Sequence, residues 1–145
     1  MSIFSKLIGE RPPKRNVDPL GKAIGWAKRT YKIGARLPSH VFPPTEETAG
    51  YIIPTFYAYG EKALAMEIAR WEASRQREDG GFVGADGIPY TFDTAQVIRG
   101  FLAVLDDAPE MVKPLMRACD YVERHIDPLG RLGLGHAGRF QEVLE

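Results

Sequence analysis

The chain has 145 residues, 44% of them apolar and 26% charged, with 19 basic side chains balancing 19 acidic ones. That is the size and composition of one globular domain, which buries about 70% of its unfolded surface. One cysteine, Cys119, excludes an internal disulfide, and no apolar run approaches the roughly 20 residues of a bilayer span.

The zero net charge conceals an uneven distribution. Residues 1–40 carry nine Lys or Arg against Glu10 and Asp18, a net of +7; the remainder carries ten basic and seventeen acidic groups, a net of −7. A basic arm can meet nucleic acid or an anionic membrane surface. Between Arg11 and Trp26, however, no aromatic side chain interleaves the charges. The expected role is a solvated arm that complements the acidic body, with no nucleic-acid partner. Met1–Gly9 has one lysine but no long apolar core, which argues against a signal peptide and predicts a cytoplasmic location.

In chain order, residues 1–17 read as a flexible extension. Ile3, Phe4, Leu7 and Ile8 have the spacing of one amphipathic turn, and Arg11-Pro12-Pro13 breaks it. Asp18 as cap and Pro19 at the first helical position open a helix over Asp18–Ile33, with Leu20, Ala23, Ile24, Ala27 and Tyr31 on one face and Gly34 as the stop. A loop with Pro38, Pro43 and Pro44 leads to a helix over Thr48–Tyr59, in which Pro54 predicts a bend or a late start. The next, Glu61–Arg77, has Ala65, Ile68, Ala69 and Glu72 at i, i+3, i+4, i+7. A turn-rich stretch over residues 78–87 follows. Asp93 with Gln96 three residues later is a capping-box variant and opens Asp93–Leu105. The last long helix spans Pro109–Ile126, with Val112, Leu115, Met116, Cys119, Val122 and Ile126 expected inward.

The chain repeats itself. A shift of 46 residues lays Glu47-Thr48-Ala49 on Asp93-Thr94-Ala95, and a shift of 50 lays Trp71 on Tyr121 and Gly80 on Gly130. Such a period is two helices with their loops, and each pair must stack on a neighbour to bury its apolar face. The expected fold is therefore all-α, built of helical hairpins over residues 18–145, about half of an α/α-toroid. Trp26 and Trp71 read as packing residues.

Gln76-Arg77-Glu78-Asp79-Gly80-Gly81-Phe82-Val83-Gly84 resembles the Q-x-x-D-G-G-F-x-G turn of the prenyltransferase and squalene-cyclase repeat superfamily. Glu47-Thr48-Ala49-Gly50-Tyr51-Ile52-Ile53-Pro54-Thr55 and Phe92-Asp93-Thr94-Ala95-Gln96-Val97 resemble a family of bacterial toroid proteins associated with exopolysaccharide biosynthesis. The likeness covers about residues 40–132. It implies a carbohydrate-active or carbohydrate-binding protein of surface polysaccharide production. Two departures stand out. The zinc ligands of the protein prenyltransferases have no counterpart, and of the cyclases' acidic motif only Asp93-Thr94-Ala95 is present. No cofactor or metal is implied.

In a toroid, inner-helix N-termini face one mouth of the cavity, which would bring Glu47 and Asp93 together as candidate catalytic acids. Two carboxylates roughly 5–10 Å apart suit glycoside chemistry when their environments separate their pKa values. Tyr51, Tyr90 and Phe92 could stack on sugar rings, and Asp79, Asp86 and Gln96 could line a substrate wall. Each has a structural alternative: Asp93 as a helix cap, Asp79 and Asp86 as Asp-Gly turn residues. The Gly-rich loop has neither the alternating oxygens of a calcium loop nor the Gly-Lys-Ser/Thr of a phosphate loop. Whether the chain catalyses stays open. The alternative is a non-catalytic helical-repeat interaction module, a remnant or fragment of a toroid enzyme; a terpenoid- or prenyl-binding enzyme comes third. Half a toroid leaves open edges, so the last helix is expected to pair with a second copy in a homodimer.

Overall fold

The structure, a computed structural model, describes residues 18–30, 46–84 and 86–133. It divides into two compact units, Met1–Tyr31 and Lys32–Glu145. The described residues are helical, with two isolated antiparallel bridges and no strands. Residues 1–17, the prolines of residues 38–44, His40, His136 and the tail from Leu134 lie outside the described residues.

In the first unit, α1 spans Pro19–Thr30. Asp18 caps it as expected, its Oδ1 accepting the backbone N–H of Gly21 at 2.9 Å. Trp26, expected to pack, is 63% exposed.

The second unit holds two helical hairpins. α2 (Glu46–Ala58) turns through Tyr59-Gly60 into α3 (Lys62–Arg75), and α4 (Thr91–Val104) turns into a 3-10 segment, Pro109–Met111, that feeds α5 (Val112–Arg124). Pro54 lies deep inside α2, which begins at Glu46, so a late start is ruled out. A proline there removes the donor that the carbonyl of Gly50 would otherwise receive.

α2 and α4 form the closest pair, and glycine makes it so. A Cβ on Gly50 would stand 2.4 Å from the backbone of Gln96, and one on Gly100 would stand 2.9 Å from Ile53 Cδ1. Gly50 thus abuts Gln96 while Ile53 abuts Gly100, so the two helices run in the same direction. Tyr57 Oη donates to Asp107 Oδ2 at 2.8 Å, tying their C-terminal ends. Ile53, Phe56, Ile68, Phe82, Val97, Phe101 and Val104 fill the core between the hairpins, with Phe82 edge-on to Phe101 at 6.0 Å.

α3 and α5 are joined by polar links in register. Arg70 pairs with Glu110, and Gln76 Nε2 donates to the carbonyls of Gly80 and Pro114. Guanidinium groups of Arg117 and Arg124 donate to carbonyls of the turn that follows α3. These links fix the roll of α5 and correct the expected inward face. Met111, Leu115, Ala118 and Tyr121 are buried, whereas Val112, Met116 and Ile126 are exposed. The expected set and the buried set keep the same helical period about one position apart, so periodicity alone does not choose between them.

One turn design recurs three times. Arg77, Gly84 and Asp127 each donate a backbone N–H to the carbonyl four residues on, and each accepts one from a glycine three residues on. Those glycines, Gly80, Gly87 and Gly130, have φ of 92°, 81° and 77°, the left-handed region that favours glycine.

Candidate functional site

The register of α2 and α4 brings their first turns to the same end of the second unit. Glu47 stands three residues before Gly50, Asp93 three before Gln96, and Gly50 packs on Gln96. Their surroundings differ. Asp93 is fully buried, whereas Glu47 is half-buried.

Asp93 is not the helix cap. The bridge between Val83 and Pro89 delivers the chain into the helix at Thr91, with Tyr90 in the cap position, so Asp93 is the third helical residue. There it still gains from the positive end of the helix dipole. The capping box is not formed either: Gln96 Oε1 accepts from Arg99 Nη1 at 2.9 Å. The first turn is tied instead by Thr94, whose Oγ1 accepts the N–H of Phe82 and donates to the carbonyl of Tyr90. Thr91 Oγ1 donates to the carbonyl of Gly133, fastening the same end to the chain beyond α5.

The aromatic candidates separate. Tyr51 is 41% exposed, with the Arg99 guanidinium 5.8 Å from its ring, and Phe92 is 36% exposed. Tyr90 is buried, and its hydroxyl donates to Asp86 Oδ2 at 2.7 Å, which holds the phenol above its ordinary range. Asp86 also accepts from the N–H of Ile88. Asp79 accepts from Gly81 N–H and the Arg77 guanidinium; burial opposes ionisation there, and these bonds still leave its carboxyl below the ordinary carboxylate range. Both acids have turn-building partners, and Gln76 staples the same turn to α5.

The most unusual acids are not among those candidates. Glu72 is fully buried in α3, and neither carboxylate oxygen has a hydrogen-bond partner among the described residues. Loss of water pushes its pKa up to about 9; the neighbouring Glu46 adds to the rise and Arg75 opposes it. Glu72 is therefore a neutral carboxylic acid at pH 7. Glu46, 4% exposed, accepts from Arg75 Nε and Nη2 at 2.8 Å, and the same guanidinium lies 5.0 Å from the Trp71 ring. The signal for Glu72 was present, since it completes the i, i+3, i+4, i+7 stripe with Ala65, Ile68 and Ala69. An acid in an apolar stripe predicts a shifted pKa.

Among the described residues, no group of three His, Cys, Asp or Glu side chains is placed to hold a metal ion, and no helix is long and apolar enough to cross a membrane. No family model, curated protein or solved structure matches the chain.

Proposed function

We propose that this chain is a carbohydrate-binding or carbohydrate-active protein of bacterial surface polysaccharide production, a partial α/α-toroid that works at the end where the first turns of α2 and α4 meet. The observation that carries the reading is the parallel register of those helices, which sets Glu47 and Asp93 at one end with Tyr51 and Phe92 exposed. Glu72 and Glu46 add a division of labour. One carboxyl is held neutral by burial and the other is engaged in an ion pair, and such a difference separates a proton donor from a charge stabiliser. Exposed rings offer apolar faces to a sugar, and carboxylates accept its hydroxyl protons.

Thermal-shift screening against uronic acids and neutral oligosaccharides tests the proposal. At least one sugar should raise Tm, and Tyr51→Ala should remove that rise while leaving the unliganded Tm little changed. If the bound sugar is also turned over, Glu47→Gln and Asp93→Asn should abolish turnover and retain binding. No Tm rise with any sugar refutes the proposal.

The second reading is a non-catalytic helical-repeat interaction module that forms a homodimer. The exposed apolar side chains Val112 and Met116 on α5 favour it.

A further inference from the structure

One arginine of the second unit differs from its neighbours. Arg70, Arg75, Arg77 and Arg131 pair with carboxylates, and Arg117 and Arg124 donate to backbone carbonyls. Among the described residues, Arg99 has neither kind of partner. It is exposed on α4, its Nη1 donates to Gln96 Oε1 at 2.9 Å, and its guanidinium reaches across to α2, 5.8 Å from the Tyr51 ring. A guanidinium carries five N–H donors, so this single hydrogen bond leaves most of the fork open. A neutral amide and an aromatic ring hold the cation in place without neutralising it.

The surroundings suit a particular ligand group. Phe92, 36% exposed, lies two turns before Arg99 on the same face of α4, about 10 Å along the axis. Between them stand Ala95, with a small side chain, and Gln96, whose amide nitrogen has no acceptor among the described residues. The acids at this end are set back from the cation. Asp93 is fully buried and six residues before Arg99, about 9 Å along the axis, and Glu47 is half-buried one turn before Tyr51. A planar carboxylate meets an arginine fork through two parallel hydrogen bonds, which a lone hydroxyl cannot do.

Resting on the carbohydrate reading above, we infer that Arg99 is the specificity-determining residue of this face and that its ligand is an acidic saccharide, one whose sugar ring bears a carboxylate. The carboxylate takes the open N–H groups of Arg99. Gln96 fixes the guanidinium through its carbonyl oxygen and donates its amide N–H to a sugar hydroxyl. Phe92 offers an apolar face to the adjoining ring. A neutral sugar of the same shape gains only the apolar and hydroxyl contacts, so the cation discriminates between the two.

Calorimetric titration of the full chain tests this with oligosaccharides of galacturonate, glucuronate and mannuronate, each beside its methyl ester, and with neutral oligosaccharides. The ester keeps the sugar and removes the charge. At least one acid should bind about tenfold tighter than its ester, and the difference should shrink as salt is raised. Arg99→Gln, at an exposed position, should bring the acid down to the affinity of its ester, with Tm and the circular dichroism spectrum little changed. Arg99→Lys keeps the charge but loses the two-pronged fit, and should retain only part of the preference. Acid and ester bound alike by the unmutated chain, binding of neutral oligosaccharides alone, or a preference that survives Arg99→Gln overturns the assignment and leaves the carbohydrate reading standing. No binding of any acidic, esterified or neutral saccharide overturns both.

Discussion

The helices α3 and α5 and the turns that follow them make an instructive contrast. α3 buries an acid, Glu72, at a position where its apolar stripe expects a hydrocarbon. α5 exposes Val112 and Met116 where its sequence suggests interior. Both helices lead to the same turn, with a left-handed glycine at the same place. Yet a Cβ on Gly80 would lie 2.2 Å from the carbonyl oxygen of Arg117, whereas one on Gly130 would meet nothing within 4 Å. Identical local geometry is clamped after α3 and open after α5. Local chemistry builds the turn, and the neighbouring helix decides what it tolerates.

The largest effect that separates the two regions should come from Glu72→Gln. Glu72 binds its proton more tightly when folded, with a pKa of about 9 against 4.5 in an open chain, so stability falls as pH rises from about 4.5 to 9. Removing the ionisable group should stabilise the protein at pH 8 by on the order of 4 kcal/mol and leave it nearly unchanged at pH 4. Urea titrations at the two pH values measure this, and equal curves for both proteins at both pH values would rule out a buried neutral acid.

Gly80→Ala should come next. It combines a left-handed backbone with a collision against the α5 backbone, and should cost about 3 kcal/mol. Tyr121→Phe probes the same clamp from the α5 side. It removes the hydroxyl that donates to the Pro89 carbonyl at 3.1 Å, for a loss of about 1 kcal/mol in chemical denaturation. Gly130→Ala carries only the backbone penalty, about 1 kcal/mol, and should be the milder glycine variant by a clear margin in Tm. Matching losses for Gly80→Ala and Gly130→Ala would erase the contrast between clamped and open turns.

Much of the fold could be read before the structure. The helix spans, the Asp18 cap and the Gly80 and Gly130 turns follow from local chemistry: apolar periodicity, a carboxylate accepting first-turn N–H groups, and glycine's freedom at positive φ. Asp93 was misread as a cap because Asp-Thr-Ala-Gln fits that role locally, while a bridge at Pro89 started the helix two residues earlier. Trp26 reads as a packing residue from its sequence, and it is 63% exposed.

The sequence by itself determined where helices start and stop to within a few residues, because hydrogen bonding within a turn depends on residues a few positions apart. It also set the candidates at the ends of α2 and α4, since both stand just inside helix starts. Tertiary structure alone decided three things. It selected which side of α5 is covered, because Arg117 and Arg124 reach carbonyls some 40 positions earlier in the chain. It drove α2 against α4 at Gly50, where only a missing side chain permits the contact. And it made Glu72 neutral, because burial beside Glu46 comes from packing two helices together, and no window along one helix contains it.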